Sequence, residues 1–229
     1  GRFTWSDGGS YDGYWANDLY EGQGKRIFKD SSVYEGNWVA DKQEGKGRYV
    51  YNNGDIYEGE FKDGKRHGEG TMRSTYRDIY TGQWSRGLRH GRGVLKEASG
   101  NSYEGEWKEG RKDGFGKEVV GEKDIYEGVF SNGLKEGMGK QIFPNGDRYE
   151  GNYKANKFCG KGTYYWSDSS HYMGDFQNGL RHGKGTWKES FSGGDAYEGE
   201  YKNDKKCGMG KYVWRNGVVY TGNFENDLR

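Results

Sequence analysis

Proline is nearly absent from this sequence: Pro144 stands alone among 229 residues. Cysteine is almost as scarce, with only Cys159 and Cys207. Two thiols argue against a disulfide scaffold and suit a reducing compartment. Hydrophobic residues make up 31%, too few aliphatic side chains for a large layered core. No apolar run approaches the ~20 residues of a helical membrane span. Net charge is missing too, since 36 Lys and Arg face 35 Asp and Glu. Nucleic-acid-binding domains carry an excess of base, so that class of partner is not expected. The opening residues Gly1-Arg2-Phe3-Thr4-Trp5 carry no secretory pattern, and no Asn-x-Ser/Thr acceptor occurs. Helical periodicity is absent throughout, which predicts little or no helix.

Glycine and rings are plentiful: 43 glycines, and 17% aromatic residues. Disordered chains are poor in aromatics, so this composition points to a thin, ring-stapled β structure. The rings are periodic. A Tyr-x-Gly-x-aromatic block begins at Tyr11, Tyr34, Tyr57, Tyr80, Tyr103, Tyr126, Tyr149, Tyr172, Tyr197 and Tyr220, with steps of 23 residues except for 25 between Tyr172 and Tyr197. A short fixed period means an array in which each unit packs on its neighbours.

With each of these tyrosines as position 0, position +2 is always glycine and position +4 always aromatic. Strand periodicity puts 0, +2 and +4 on one face, and a glycine between two aromatics leaves a gap for a ring from the adjacent strand. Position +7 is Asp18, Asp41, Gly64, Gly87, Gly110, Gly133, Asn156, Gly179, Asp204 or Asp227. All of these tolerate a positive φ, as a tight hairpin turn requires. Gly-x-Gly follows at +11 and +13, then a second strand such as Tyr49-Val50-Tyr51, then turn chemistry such as Asn52-Asn53-Gly54-Asp55. The extra residues of the long period fall around Ser192-Gly193-Gly194. The expected fold is all-β: an elongated single-layer meander of about ten stacked antiparallel hairpins. The expected organisation is one array over residues 1–229. A half repeat covers 1–10, full repeats start at 11, 34, 57, 80, 103, 126, 149, 172 and 197, and a partial repeat covers 220–229. Gly1 falls at +13 and Arg229 at +9, so the segment is expected to be cut from a longer array.

Tyr57-Glu58-Gly59-Glu60-Phe61-Lys62-Asp63-Gly64-Lys65-Arg66-His67-Gly68-Glu69-Gly70 resembles a copy of the Membrane Occupation and Recognition Nexus (MORN) repeat, and the resemblance covers essentially the whole chain. Departures are local: Asp12, Thr81, Met173 and Thr221 replace the usual Glu at +1, and Cys159 and Cys207 replace an acid or His at +10. The resemblance implies a hairpin array that holds proteins together. Such arrays occur in ciliary and flagellar structures such as radial spoke heads, in cytoskeletal collars, in junctions beside membranes, and next to some catalytic domains.

Three sets of residues are candidate sites. The aromatic face at +4, with Trp15, Trp38, Phe61, Trp84, Trp107 and Phe130, offers an apolar groove to a partner helix or strand, although rings that recur in every copy are first of all architectural. The basic row at +8 and +9, with Lys65, Arg66, Arg89, Arg111, Lys112, Lys135, Arg181, Lys205 and Lys206, could meet an anionic lipid or an acidic protein segment. Overall neutrality favours a solvated edge instead. The column at +10 (Glu21, Glu44, His67, His90, Asp113, Glu136, Cys159, His182 and Cys207) has metal-ligand chemistry. Neighbours two strands apart are roughly 10 Å from each other, too far for one zinc ion, so these are read as polar residues flanking turns. A metal shared between two chains through Cys159, His182 or Cys207 is the alternative. The glutamates at +1 are read as structural partners of nearby Lys and Arg, and His171 as a surface residue.

No phosphate loop, nucleophile elbow or His-Glu-x-x-His occurs, so no enzyme and no cofactor are expected. The expected function is a structural scaffold for other proteins in a cytoskeletal assembly, cytoplasmic and ciliary or flagellar, as in an axoneme or radial spoke. A peripheral membrane platform on anionic phospholipid, and an array regulating an enzyme domain elsewhere, are the alternatives. A homodimer stays open. A partner should be read by residues that break the repeat.

Overall fold

The computed structural model describes residues 1–229, and the chain is all-β, without a helix. It divides into two units, Gly1–Lys112 and Asp113–Arg229. The first holds β1 (Arg2–Thr4), β2 (Ser10–Ala16), β3 (Leu19–Ile27), β4 (Val33–Val39), β5 (Lys42–Val50), β6 (Ile56–Lys62), β7 (Lys65–Arg73), β8 (Ile79–Ser85), β9 (Leu88–Lys96) and β10 (Ser102–Lys108). β11 (Arg111–Val120) leads into the second, with β12 (Asp124–Ser131), β13 (Leu134–Ile142), β14 (Arg148–Lys154), β15 (Lys157–Tyr165), β16 (His171–Gln177), β17 (Leu180–Lys188), β18 (Ala196–Lys202), β19 (Lys205–Val213) and β20 (Val219–Phe224). Within each unit, every strand pairs antiparallel with its neighbours in sequence. The hairpin meander expected from the period is the fold observed.

The tight turns are sharper than position +7 alone suggests. Position +6 is also left-handed, as at Asn17 (φ 50°) before Asp18 (φ 63°) and Arg86 (φ 51°) before Gly87 (φ 86°). Two consecutive positive φ values make the type I′ hairpin turn, whose twist matches that of the flanking strands. At Ala40 (φ 46°) and Ala155 (φ 47°) the fold imposes this conformation on residues that resist it.

The two glycine positions form rows. In the first unit Gly24 pairs with Gly13 on one side and Gly36 on the other, and Gly47 pairs with Gly36 and Gly59. The repeat tyrosine packs against this row. A Cβ on Gly36 would stand 2.6 Å from both the Tyr34 Oη and the Gly47 Cα. The gap is therefore filled from within the strand and not, as expected, by a ring from the adjacent one. The reason is a hydrogen bond: Tyr34 Oη donates to the Asn37 carbonyl at 3.0 Å, and Tyr11, Tyr57, Tyr149 and Tyr172 donate to the same position in their repeats. Within each unit these tyrosines then meet +4 rings edge to face, typically their own and the next. Tyr34 lies 5.0 Å from Trp38 and 5.0 Å from Phe61, and Tyr149 lies 5.2 Å from both Tyr153 and Phe176. Such pairs contribute roughly 0.5–1.5 kcal/mol each beyond area burial, which is how a chain poor in aliphatics holds together.

Both turn edges are stitched from one repeat to the next. On the tight-turn edge the +7 amide donates to the +9 carbonyl of the preceding repeat, as in Gly87 N to Arg66 O (2.9 Å) and Asp204 N to Arg181 O (3.0 Å). On the other edge an aspartate two residues before the repeat tyrosine accepts from the following connection: Asp55 from Thr75 N, Asp78 from Ala98 N, Asp147 from Ser167 N and Asp195 from Arg215 N, each at 2.9 Å.

Candidate interaction surfaces

The aromatic face is the core. Trp38 is 2% exposed, and Phe61, Trp84, Trp107 and Phe130 are also buried, none above 6%; of the six rings expected to receive a partner only Trp15, at 38%, is open. Closure follows from the tyrosine packing and from the indoles, which are fixed by Nε1 donation to glycine carbonyls: Trp38 to Gly24, Trp84 to Gly70 and Trp107 to Gly93, at 3.1–3.2 Å. The rings face each other, and five of the six are closed to a partner.

The basic row is likewise not one surface. Adjacent strand residues project to opposite faces. Position +8 is exposed at Lys65, Arg111 and Lys205, whereas Arg66, Arg89, Lys112, Lys135, Arg181 and Lys206 at +9 are half-buried over the rings. Arg66 lies 4.4 Å above Trp84, Arg89 4.5 Å above Trp107, Lys112 4.9 Å above Tyr103, Lys135 4.6 Å above Tyr126, Arg181 5.2 Å above Tyr201 and Lys206 5.2 Å above Tyr197. Where +9 is aromatic it stacks instead: Tyr20 on Tyr11 at 4.0 Å and Phe158 on Tyr149 at 3.8 Å. The +9 residues cover the core. Desolvation lowers the pKa of Lys206 from its ordinary value.

The +10 column does structural work at its acidic members. Glu21, Glu44, Asp113 and Glu136 accept from the +6 amides of the next turn, Ala40, Asp63, Asn132 and Ala155, at 2.9–3.1 Å. Cys159, His182 and Cys207 stand at the same register on β15, β17 and β19, half-buried. At +1, Glu35 and Glu58 face Lys25 (3.7 Å) and Arg48 (3.1 Å) across the strands in exposed pairs, worth little individually.

His171 is not on the surface. It is 6% exposed, in the strand position that Val33, Ile56 and Ile79 hold elsewhere, and its ring lies 4.1 Å from Phe191 at an interplanar angle of 8°. Phe191 belongs to the long connection between β17 and β18, which carries the extra residues of the irregular period. Burial, then the nearby Lys188, holds the imidazole pKa below its ordinary value.

The face opposite the rings carries a surface that the sequence reading did not single out. In the second unit, Met138, Met173 and Met209 line one trough of about 990 Å³ over the glycine row, with Lys161, Lys184 and Lys211 among its walls. Met173 is 60% exposed, and the other two nearly as much. Met173 stands where most repeats have Glu, and Met138 and Met209 stand at +12, where Gln23, Lys46, Glu69 and Arg92 stand in the first unit. The available signal was therefore departure from the repeat, summed over three repeats. Thioethers are flexible and polarisable and adapt to the shape of a binding partner.

Comparison with known proteins places the chain. The MORN repeat model matches residues 11–33, 34–56, 57–75, 80–102, 103–119, 126–148, 149–171, 172–188 and 197–219. No curated protein matches. Among solved structures, the chain is similar to the TCP10 domain of Danio rerio CPAP in complex with a peptide of Danio rerio STIL, at 11% identity and a TM-score of 0.45, over 96% of this chain and 92% of that one. It is also similar to the SAS-4 (dCPAP) TCP domain of Drosophila melanogaster in complex with a proline-rich motif of Ana2 (13% identity, TM-score 0.32, 98% and 89% covered). A third is catalytically inactive virginiamycin B lyase from Staphylococcus aureus with quinupristin (12%, 0.18, 97% and 83%). Likenesses this slight carry nothing further to this chain. MORN repeats make protein-binding or membrane-binding scaffolds and are typically non-catalytic. With nine matched repeats, each opening on the repeat tyrosine, the chain belongs to the MORN repeat family.

Proposed function

We propose that the chain is a non-catalytic scaffold that holds partner proteins in a cytoskeletal assembly of the cilium or flagellum, where arrays of this family occur. The observation that carries the protein-binding part is the row of exposed methionines over the glycine floor of the second unit. An exposed apolar row rimmed by charge fits a protein surface, with the thioethers as its centre and the Lys and Glu residues as a polar rim. A lipid platform would need the basic residues to face outward together, and six of the nine instead cover the aromatic core. Cells expressing the tagged protein are extracted with non-ionic detergent and then high salt. Retention through both steps, lost when Met138, Met173 and Met209 are replaced together by Lys, is the expected result. Release by detergent alone overturns the cytoskeletal reading in favour of a membrane, and retention of the triple variant removes the trough from the argument.

A further inference from the structure

Arg66 and Arg181 occupy the same place in their repeats and hold their guanidinium groups alike. Arg66 Nη2 donates to the Gly87 carbonyl at 2.7 Å, and Arg181 Nη2 donates to the Asp204 carbonyl at 2.8 Å. The turn residue is what differs. The Asp204 carboxylate folds back onto Arg181, with Oδ1 accepting from the Arg181 backbone N–H at 2.9 Å and from Nε at 3.1 Å. Gly87 brings no carboxylate, and nothing lies within 4 Å of where its Cβ would stand. The Arg66 partners are neutral: that carbonyl, the Met72 sulfur at 3.9 Å, and the rings of Trp84, Tyr57 and Tyr51.

Arg89, one repeat further on, accepts at its carbonyl from the Gly110 amide at 2.9 Å, and Gly110, like Gly87, brings no carboxylate. The two guanidinium groups line one cleft of about 450 Å³ with Trp84, Leu88 and Asp78. Asp78 Oδ1 is engaged by the Ala98 amide. Burial lowers the Arg89 pKa below the ordinary arginine value, reinforced by the charge of Arg66 and opposed by Tyr80 and the carboxylates of Asp78 and Glu97. Two like charges drawn partly out of water, with Asp78 the single carboxylate lining the cleft, favour a further anion between them.

We infer that this cleft is a carboxylate seat for an acidic segment of a partner protein, whose Asp or Glu takes beside Arg66 the place that Asp204 takes beside Arg181. The seat's internal occupant elsewhere in the chain is a carboxylate borne on a backbone, which favours a peptide. Seats on successive repeats lie roughly 10 Å apart, about the rise of three residues of a polyproline II chain, whose side chains return to the same side every third residue. Leu88, 49% exposed, supplies an apolar contact. The seat is separate from the methionine trough and does not depend on it.

The test uses a fluorescein-labelled peptide with two aspartates separated by two leucines, its asparagine counterpart, and phosphatidylserine vesicles, each titrated against the full chain. The aspartate peptide is expected to bind, and the asparagine peptide to bind about tenfold more weakly or worse. Gly87→Asp supplies the carboxylate from within and should weaken the aspartate peptide about tenfold; Arg66→Gln should do the same. In the Gly87→Asp background, Asp204→Gly should restore binding by opening a seat beside Arg181. Each turn variant copies a turn already present in the chain, and thermal melts confirm folding. Equal binding to Gly87→Asp and the parent overturns the inference, as does absence of binding at about 50 mM salt. Vesicle binding lost in Gly87→Asp, with the aspartate peptide ignored, assigns the seat to lipid headgroups and overturns the peptide assignment. Met138, Met173 and Met209 are untouched throughout, so failure here leaves the trough reading standing.

Discussion

The Tyr34 phenol and Gly47 occupy the two sides of one contact: a Cβ on Gly47 would stand 2.5 Å from the Tyr34 Oη. The glycine is there so that the ring can lie against the backbone. Gly47→Ala is therefore expected to destabilise the protein by about 2–3 kcal/mol through overpacking, whereas Tyr34→Phe, which removes only the hydrogen bond to Asn37, should cost about 1 kcal/mol. Denaturant midpoints of the two variants give the comparison, and equal losses would contradict it.

The clasp between Glu44 and the Asp63 amide acts locally. Glu44→Ala should speed hydrogen exchange at Asp63 about fivefold, the equivalent of about 1 kcal/mol, and leave amides in the second unit unchanged. Uniform acceleration would show that the clasp supports the whole fold.

Ala40 holds a left-handed conformation at φ 46° that most repeats give to Asn or Asp. Ala40→Asn keeps the amide that donates to Glu21 and relieves the strain. Stability should rise by about 0.5–1 kcal/mol, read as a higher thermal midpoint; a lower midpoint would mean that the turn carries no such strain.

Desolvation raises the phenols of the repeat tyrosines. Tyr80, Tyr126 and Tyr197 are pushed up to about 12, and Tyr34 and Tyr149 are raised further. A phenol whose pKa rises on folding contributes its stability in full below the unfolded value of 10.0 and loses it as pH climbs through the folded value. Stability should be flat through neutral pH and fall above about pH 10, steeply because several tyrosines titrate together. Thermal midpoints from pH 8 upward, with phenolate absorbance in parallel, check this. Ionisation of these tyrosines before any loss of structure would contradict the packing.

The period, the strand pairs and the +7 turns were legible in the sequence, because glycine, aspartate and asparagine at a fixed step have few uses besides a reversed backbone. Which face is open was not. Alternation shows that Trp38 and Tyr34 share a side, but not that Tyr34 crosses to Gly47 and closes that side. Arg66 and Lys65 read as one basic edge in a linear sequence; only the pleat sends one onto Trp84 and the other into water. Asp55 looked like ordinary turn chemistry, since its acceptor role requires knowing that the Thr75 connection lies beside it. Met173 was noted as a departure from the repeat, but its significance came from Met138 and Met209, which the fold places on the same face.

The clasp from a +7 amide to the +9 carbonyl of the preceding repeat recurs at one register along each unit. A gene segment encoding one period, copied in frame, would therefore arrive with both halves of that fastening: a carbonyl to hold the next turn and an amide for the previous carbonyl. Inheritance by tandem duplication needs no compensating change elsewhere in the protein, so repeat number is free to drift while fixed departures such as Met173 accumulate meaning one copy at a time.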